Sequence, residues 1–153
     1  MSPPVPVAWR CLPFDALHAR TLYRLLQLRT EVFVMEQSCV FQDMDGADLD
    51  CFHLLGEAHS GALLGYARLV PPGLKFPEVS IGRVVTAKAA RGTGIGHELM
   101  REALRAVHGL LGEQPIRIGA QAHLQTFYRQ HGFEPDGPLY IEDGIDHIEM
   151  IRL

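Results

Sequence analysis

The chain has 153 residues, 47% of them hydrophobic and 21% charged, the balance of a globular protein and a length that suits one domain, residues 1–153. Its 14 Lys and Arg against 18 Asp and Glu give a formal charge of −4, so no basic excess marks a nucleic-acid binder, whose phosphate contacts need clustered cations. The longest apolar run, residues 62–67, is far short of the roughly 18 residues of a membrane helix, and residues 1–10 lack a charged lead before an apolar core, so neither a membrane span nor a signal peptide is expected.

Residues 7–12 read as a first strand. From Asp15, a candidate N-cap, Leu17, Thr21, Leu25, Leu28 and Val32 fall at spacings of three and four, the stripe of an amphipathic helix that ends or breaks before Gln37. An acidic, turn-rich segment follows at 41–50. Residues 52–57 and 63–70 flank His59-Ser60-Gly61 as a hairpin, and 79–86 is a further strand rich in β-branched residues. Beyond a glycine cluster at 92–96, the positions Ile95, Leu99, Ala103, Leu104, Val107 and Leu111 define a second helical face. Residues 116–120 form a short apolar strand, and 124–131 a short helix terminated by Gly132. Strands at 139–142 and 145–151 enclose Asp143-Gly144, a two-residue hairpin signal. The order β-α-β-β-β-α-β-α-β-β predicts an α/β domain with a mixed central sheet whose parallel part is the βαβ unit around 79–120.

Arg91-Gly92-Thr93-Gly94-Ile95-Gly96 stands between a strand and a helix. A helix start carries unpaired N–H groups and partial positive charge, and glycines let backbone approach a phosphate closely, so the cluster reads as a pyrophosphate cradle. The alternative is a tight β-to-α turn that needs positive φ. No Gly-Lys pair occurs, which excludes a P-loop, and a dinucleotide fingerprint begun at Gly92 requires glycine where His97 stands.

The pattern Arg-x-x-Gly-x-Gly, met by Arg91, Gly94 and Gly96, resembles the acyl-CoA signature of the GNAT N-acetyltransferases. The strand 82–86 before it and the segment Phe127-Tyr128-Arg129-Gln130-His131-Gly132-Phe133 after it resemble that family's order and spacing, and the likeness spans essentially the whole chain, strongest to the ElaA-type branch. The resemblance implies flanking helices around a mixed sheet splayed between strands 4 and 5, with the pantetheine arm of acetyl-CoA in the gap. It implies that the backbone of Val84, Val85 and Thr86 pairs with the arm and that the amides of Gly92, Thr93, Gly94, Ile95 and Gly96, opened by Arg91, hold the pyrophosphate. Gln121 stands where relatives often carry Asn and is the expected side-chain contact. Gly82 is read as a bulge, a close approach or a packing glycine.

The same resemblance casts Tyr128 as the acid that protonates the departing thiolate, since a Tyr hydroxyl with an ordinary pKa near 10 keeps its proton at neutral pH. The alternative is a core Tyr bonded to a carbonyl. A backbone N–H near Val84 or Val85 is the expected oxyanion donor. For the base, Glu78, Ser80 and Arg83 lie on the fourth strand, and Glu36, Asp50, His53, His123 and His147 are alternatives that the sequence does not rank. Arg83 is read as an ion-pair partner of the acidic segment rather than a contact for an acceptor carboxylate, and that segment (Asp43, Asp45, Asp48, Asp50) as a solvated loop. Taking Asp43 as a first calcium ligand puts Leu54 at the twelfth position, and Cys51-x-His53 lacks a second pair, so no metal is expected. Cys11, Cys39 and Cys51, odd in number and without a C-x-x-C, fit free thiols in a cytoplasmic protein.

The expected function is acetyl-CoA-dependent acetylation of a primary amine on a small molecule or peptide, by a monomer or homodimer with no nucleic-acid or membrane partner. A non-catalytic acyl-CoA-binding or sensing domain is the alternative; both need the cradle, and only the transferase needs Tyr128.

Overall fold

In the computed structural model, which describes residues 6–153, the first strand, β1, is Ala8–Pro13. Residues 1–5, part of the stretch read above for a leader, lie outside the described residues. Asp15 does not cap the first helix: it sits in a 3-10 turn, Phe14–Ala16, and α1 (Ala19–Arg29) begins only after His18, without a side-chain cap. Proline at 13 enforces an extended approach, and the tight turn delays the helix by one turn of chain. After Arg29 the helix widens into a π-helical segment, Thr30–Glu36. The Gln37 and Cys39 N–H groups reach back five residues, to Val32 and Val34 at 3.1 and 3.0 Å, so the break expected before Gln37 is a change of pitch rather than a gap.

β2 (Phe52–Glu57), β3 (Leu63–Val70) and β4 (Ser80–Thr86) follow. With β1 they form a four-stranded antiparallel sheet in the order β1-β2-β3-β4. Both faces are buried, which explains why β3 is apolar along nearly its whole length. Leu25 and Leu28 of α1 pack with Leu55, Tyr66 and Val85 on one face. On the other, Leu99, Met100, Ala103 and Val107 of α2 (Ile95–Leu111) pack with Leu54, Ala67, Leu69 and Ile81. Gly56 is required by close approach: a Cβ there would lie 2.5 Å from the Trp9 ring.

β5 (Ile116–Gln121) leads through a 3-10 turn, Ala122–Leu124, into α3 (Gln125–Arg129), which ends at Gly132 with φ +89°. β6 (Glu134–Glu142) and β7 (Ile145–Arg152) complete a second antiparallel sheet in the order β5-β7-β6. β6 begins earlier than its sequence pattern predicts. Pro135 and Pro138 mask it, and the structure tolerates them because β6 is an edge strand whose pairing is irregular between Pro135 and Leu139.

The parallel pairing expected in the βαβ unit is reduced to a single bridge, Val79 to Ile116, with the Arg117 N–H donating to the Val79 carbonyl at 2.9 Å. Beyond that bridge β4 and β5 diverge. The result is an α/β fold whose sheet is splayed between its fourth and fifth strands.

Candidate active site

The divergence of β4 and β5 opens a cavity of about 460 Å³, walled by β4, β5, α3, the β6–β7 hairpin and the segment after α1. The gap edge of β4 is shaped by a bulge. Tyr66 pairs with Val85 and Arg68 with Gly82, so Arg83 and Val84 together oppose the single residue Ala67. Arg83 takes φ +50°, a left-handed conformation uncommon for a side chain of its size. The irregularity foreseen at Gly82 therefore falls one residue later, and Gly82 itself has ordinary φ with the Arg68 side chain over it. The Ala87 N–H donates to Leu64 of β3 at 2.8 Å. Alternation along the ladder turns Val85 to β3 as well, so the Thr86 backbone points away from β3, while Val84 lies on the cavity wall.

At the end of β4, Gly92 and Gly94 take φ of +81° and +83°, and neither would meet any atom with a Cβ. Gly94 is the N-cap of α2 and supplies no side-chain cap, so the N–H groups of Ile95, Gly96 and His97 open outward on a helix of 17 residues. Thr93 donates to the Ala90 carbonyl at 2.6 Å and steadies the turn. Arg91 spans the turn, donating to Glu36 at 2.8 Å and the Thr86 carbonyl at 3.3 Å. Its hydrogen bond holds the Glu36 carboxyl below the ordinary carboxylate range. Ile95 buries its side chain beside Leu64 and Ala90, so only its backbone faces the turn.

Tyr128 projects from α3 into the cavity wall and is 7% exposed. Phe127 and Phe133 hold its ring edge-on, at 5.1 and 6.0 Å between centroids. Its hydroxyl makes no hydrogen bond within the described residues, and it is not sealed, since Arg68 Nε is the one fully buried side-chain N or O there without a partner. The carbonyl-bonded core Tyr is thus not what the structure contains. Burial pushes the Tyr128 hydroxyl up to about 12, so it holds its proton. Gln121 lines the same cavity and exchanges amide hydrogen bonds with Gln37 at 3.3 and 3.4 Å.

Residues 27–153 match the family described as "Acetyltransferase (GNAT) domain". The chain belongs to the GNAT acetyltransferase family. It is 43% identical over 148 residues to Protein ElaA of Escherichia coli strain K12, covering 95% of this chain and 96% of that one. The crystal structure of Escherichia coli ElaA superposes with a TM-score of 0.89 at 42% identity, covering 97% of this chain and 100% of that chain. An acyl-CoA N-acyltransferase from Pseudomonas aeruginosa superposes with a TM-score of 0.91 at 47% identity, again over 97% and 100%. As a GNAT protein the chain is an acyltransferase, of the class that uses acyl-CoA donors and amine acceptors.

Several charged positions of this GNAT chain have roles that composition did not reveal. The acidic segment is not a solvated loop. Asp43 and Asp48 are buried, and with Asp45 they pair Arg29, Arg68, Arg83 and Lys75. Arg83 donates Nε to Asp43 at 2.8 Å, the ion pair anticipated for it. Among the candidate bases, Glu78 is tied to Arg117 at 3.2 Å and Glu36 to Arg91. His53 is fully buried, accepting from the Tyr66 hydroxyl at Nδ1 (2.6 Å) and donating from Nε2 to the Asp48 carbonyl (2.8 Å); its burial lowers its pKa and keeps it neutral. Asp50 and His123 are not on the cavity wall; His147 and Ser80 are. No helix among the described residues is long and apolar enough to cross a membrane, and those residues hold no cluster of three His, Cys, Asp or Glu suited to a metal.

Proposed function

We propose that the protein transfers an acetyl group from acetyl-CoA to a primary amine of a small molecule or peptide, by direct attack in a ternary complex, with Tyr128 protonating the CoA thiolate. The observation that carries this reading is the partnerless Tyr128 hydroxyl on the wall of the cavity where β4 and β5 part.

The residues present suit the cosubstrate. The open turn of Gly92, Thr93, Gly94, Ile95 and Gly96 offers unpaired N–H groups at a positive helix end, with Arg91 beside them, as a pyrophosphate requires. Val84 and Thr86 present strand-like backbone groups to the pantetheine amides, and Gln121 an amide side chain. The bulge at Arg83 and Val84 interrupts the ladder on the cavity wall, and a backbone N–H freed there would stabilise the oxyanion. Acetyl-CoA, when bound, supplies the activated thioester.

Burial raises the Tyr128 hydroxyl to about 12, so it is still protonated at neutral pH when the thiolate departs. A hydroxyl that has not ionised beforehand remains available as the acid at neutral pH.

The test is calorimetric titration with acetyl-CoA of the wild type and of Gly94→Glu, with a melting curve to establish that the variant is folded. Saturable binding that the variant loses supports the cradle, because a carboxylate there repels phosphate. Absence of binding by the wild type would overturn the proposal.

A further inference from the structure

We propose that His147 is the catalytic base that takes the proton from the attacking amine, an assignment that rests on the transferase reading above. His147 Nδ1 lies 2.7 Å from the carbonyl oxygen of Ile145. A carbonyl oxygen only accepts, so the ring proton sits on Nδ1 and Nε2 carries the lone pair. Nε2 makes no hydrogen bond. It is not sealed either, for Arg68 Nε alone among the described residues is a fully buried side-chain N or O lacking a partner. The ring forms part of the same cavity wall as Tyr128. A buried imidazole on the cavity wall, with its tautomer held by a backbone bond and its other nitrogen unbonded and not sealed, is the arrangement a general base needs.

The surroundings suit the protonated product of that step. Tyr140 of β6 stacks on the ring at 5.6 Å and 30°. Glu142 Oε2 stands 3.7 Å from Nε2, too far for a hydrogen bond to the neutral ring but placed to pair with an imidazolium. Asp143 lies in the adjoining turn. On β7 itself Asp146 is exposed, and Glu149 is occupied by Arg117 of β5 at 3.1 Å. Gln121, directly opposite on β5, carries no charge, and His123 follows in the turn that packs on β7. Of the other carboxylates on the wall, Glu149 is paired with Arg117, and Glu142 and Asp143 are exposed where β6 turns into β7.

The acceptor ammonium first loses one proton to water. The lone pair of the neutral amine then forms the C–N bond while the carbonyl π pair moves to oxygen. The attacking nitrogen, made acidic by that bond, passes its second proton to His147 Nε2. Collapse of the oxyanion breaks the C–S bond, the electron pair leaves on sulfur, and sulfur takes the proton of Tyr128. Solvent returns the proton from imidazolium to phenolate, so both side chains end neutral and the products are amide and free thiol.

The test joins two measurements on the full chain. Long-range 1H–15N spectra, with the ring assigned through His147→Asn, read the tautomer: Nδ1–H is expected, and Nε2–H overturns the proposal. Thiol release from acetyl-CoA is then followed with a panel of primary amines, from phenethylamine and cadaverine to a lysyl dipeptide. Asn at 147 places an amide donor where Nδ1–H stood, so folding and acetyl-CoA affinity should persist while kcat/KM falls ~10²-fold or more and the acid limb of its pH profile loses an inflection. Transfer within about threefold of wild type in His147→Asn overturns the base alone. No transfer by the wild type to any amine of the panel overturns the transferase reading and the base with it.

Discussion

Arg29 of α1 and Asp48 of the segment that follows form a two-pronged ion pair, Nη1 to Oδ1 at 2.8 Å and Nη2 to Oδ2 at 3.2 Å, with the guanidinium fully buried. Arg29 Nε also donates to Asp43 at 2.8 Å, and Arg68 of β3 joins Asp45 and Asp48 at 2.7 and 3.1 Å. These pairs tie residues 43–48 to α1 and to the sheet, and through Arg83 to the bulge of β4, so buried charge backs the side of the cavity that Arg68 and Arg83 line. Removing one partner leaves another buried and unpaired. Arg29→Met is therefore expected to lose about 3–5 kcal/mol in urea unfolding, and an unchanged midpoint would contradict the role given to the cluster.

The cluster also sets the acid limit of stability. The Arg68 hydrogen bonds hold Asp45 well below the ordinary carboxylate range; at Asp48 burial works against ionisation, but Arg29 and Arg68 outweigh it and the net shift is downward. Both groups therefore bind protons more weakly folded than unfolded, and their contribution is present above the unfolded pKa of about 3.9 and is lost as pH falls below it. His53 adds a higher window. Its folded pKa is lowered by burial, so the unfolded chain protonates first and stability declines as pH falls below about 6.5. Melting curves should show a decline from neutral pH toward pH 5 that is shallower in His53→Gln, and a steeper one below pH 4 that persists in that variant.

At Arg83 two costs separate cleanly. Both Arg83→Ala and Arg83→Gly remove the pair with Asp43, but only glycine relieves the φ of +50°. The glycine variant should be the more stable of the two by about 1 kcal/mol. Equal stability would mean that the backbone at 83 relaxes when the side chain is gone.

Tyr128→Phe deletes a hydroxyl that bonds to no described residue, so the variant should unfold within about 0.5 kcal/mol of wild type and still bind acetyl-CoA. Acetyl transfer should fall ~10²-fold or more. Steady-state thiol release alongside calorimetry separates these outcomes. Undiminished transfer would remove Tyr128 from the mechanism.

Much of the architecture is local in origin and so legible from residue order. The stripe Ile95, Leu99, Ala103 and Val107 announces α2 because a 3.6-residue period puts those positions on one face. Asp143-Gly144 announces the β6–β7 hairpin because a tight turn demands positive φ, which both residues adopt, at 51° and 76°. The first half of β6 was hidden by its prolines, and only its place at a sheet edge, a property of the assembled fold, makes them acceptable.

Within the candidate site, the motif Arg91, Gly94 and Gly96 and the segment around Tyr128 are each contiguous, so both are legible from residue order. It could not rank the bases or describe the acidic segment, because those answers depend on partners far apart in the chain. Asp43 meets Arg83 across 40 residues, Glu78 meets Arg117 across 39, and Gln37 meets Gln121 across 84. A carboxylate reads the same in sequence whether it is hydrated or enclosed by guanidinium groups, and an imidazole the same whether its free nitrogen is bonded or open. Sequence determined the helices, the turns and the glycine-opened helix end, all set by short-range backbone geometry. Tertiary structure decided which charges are spent on one another and which polar atoms are left facing the cavity, because burial and pairing exist only once distant segments have packed.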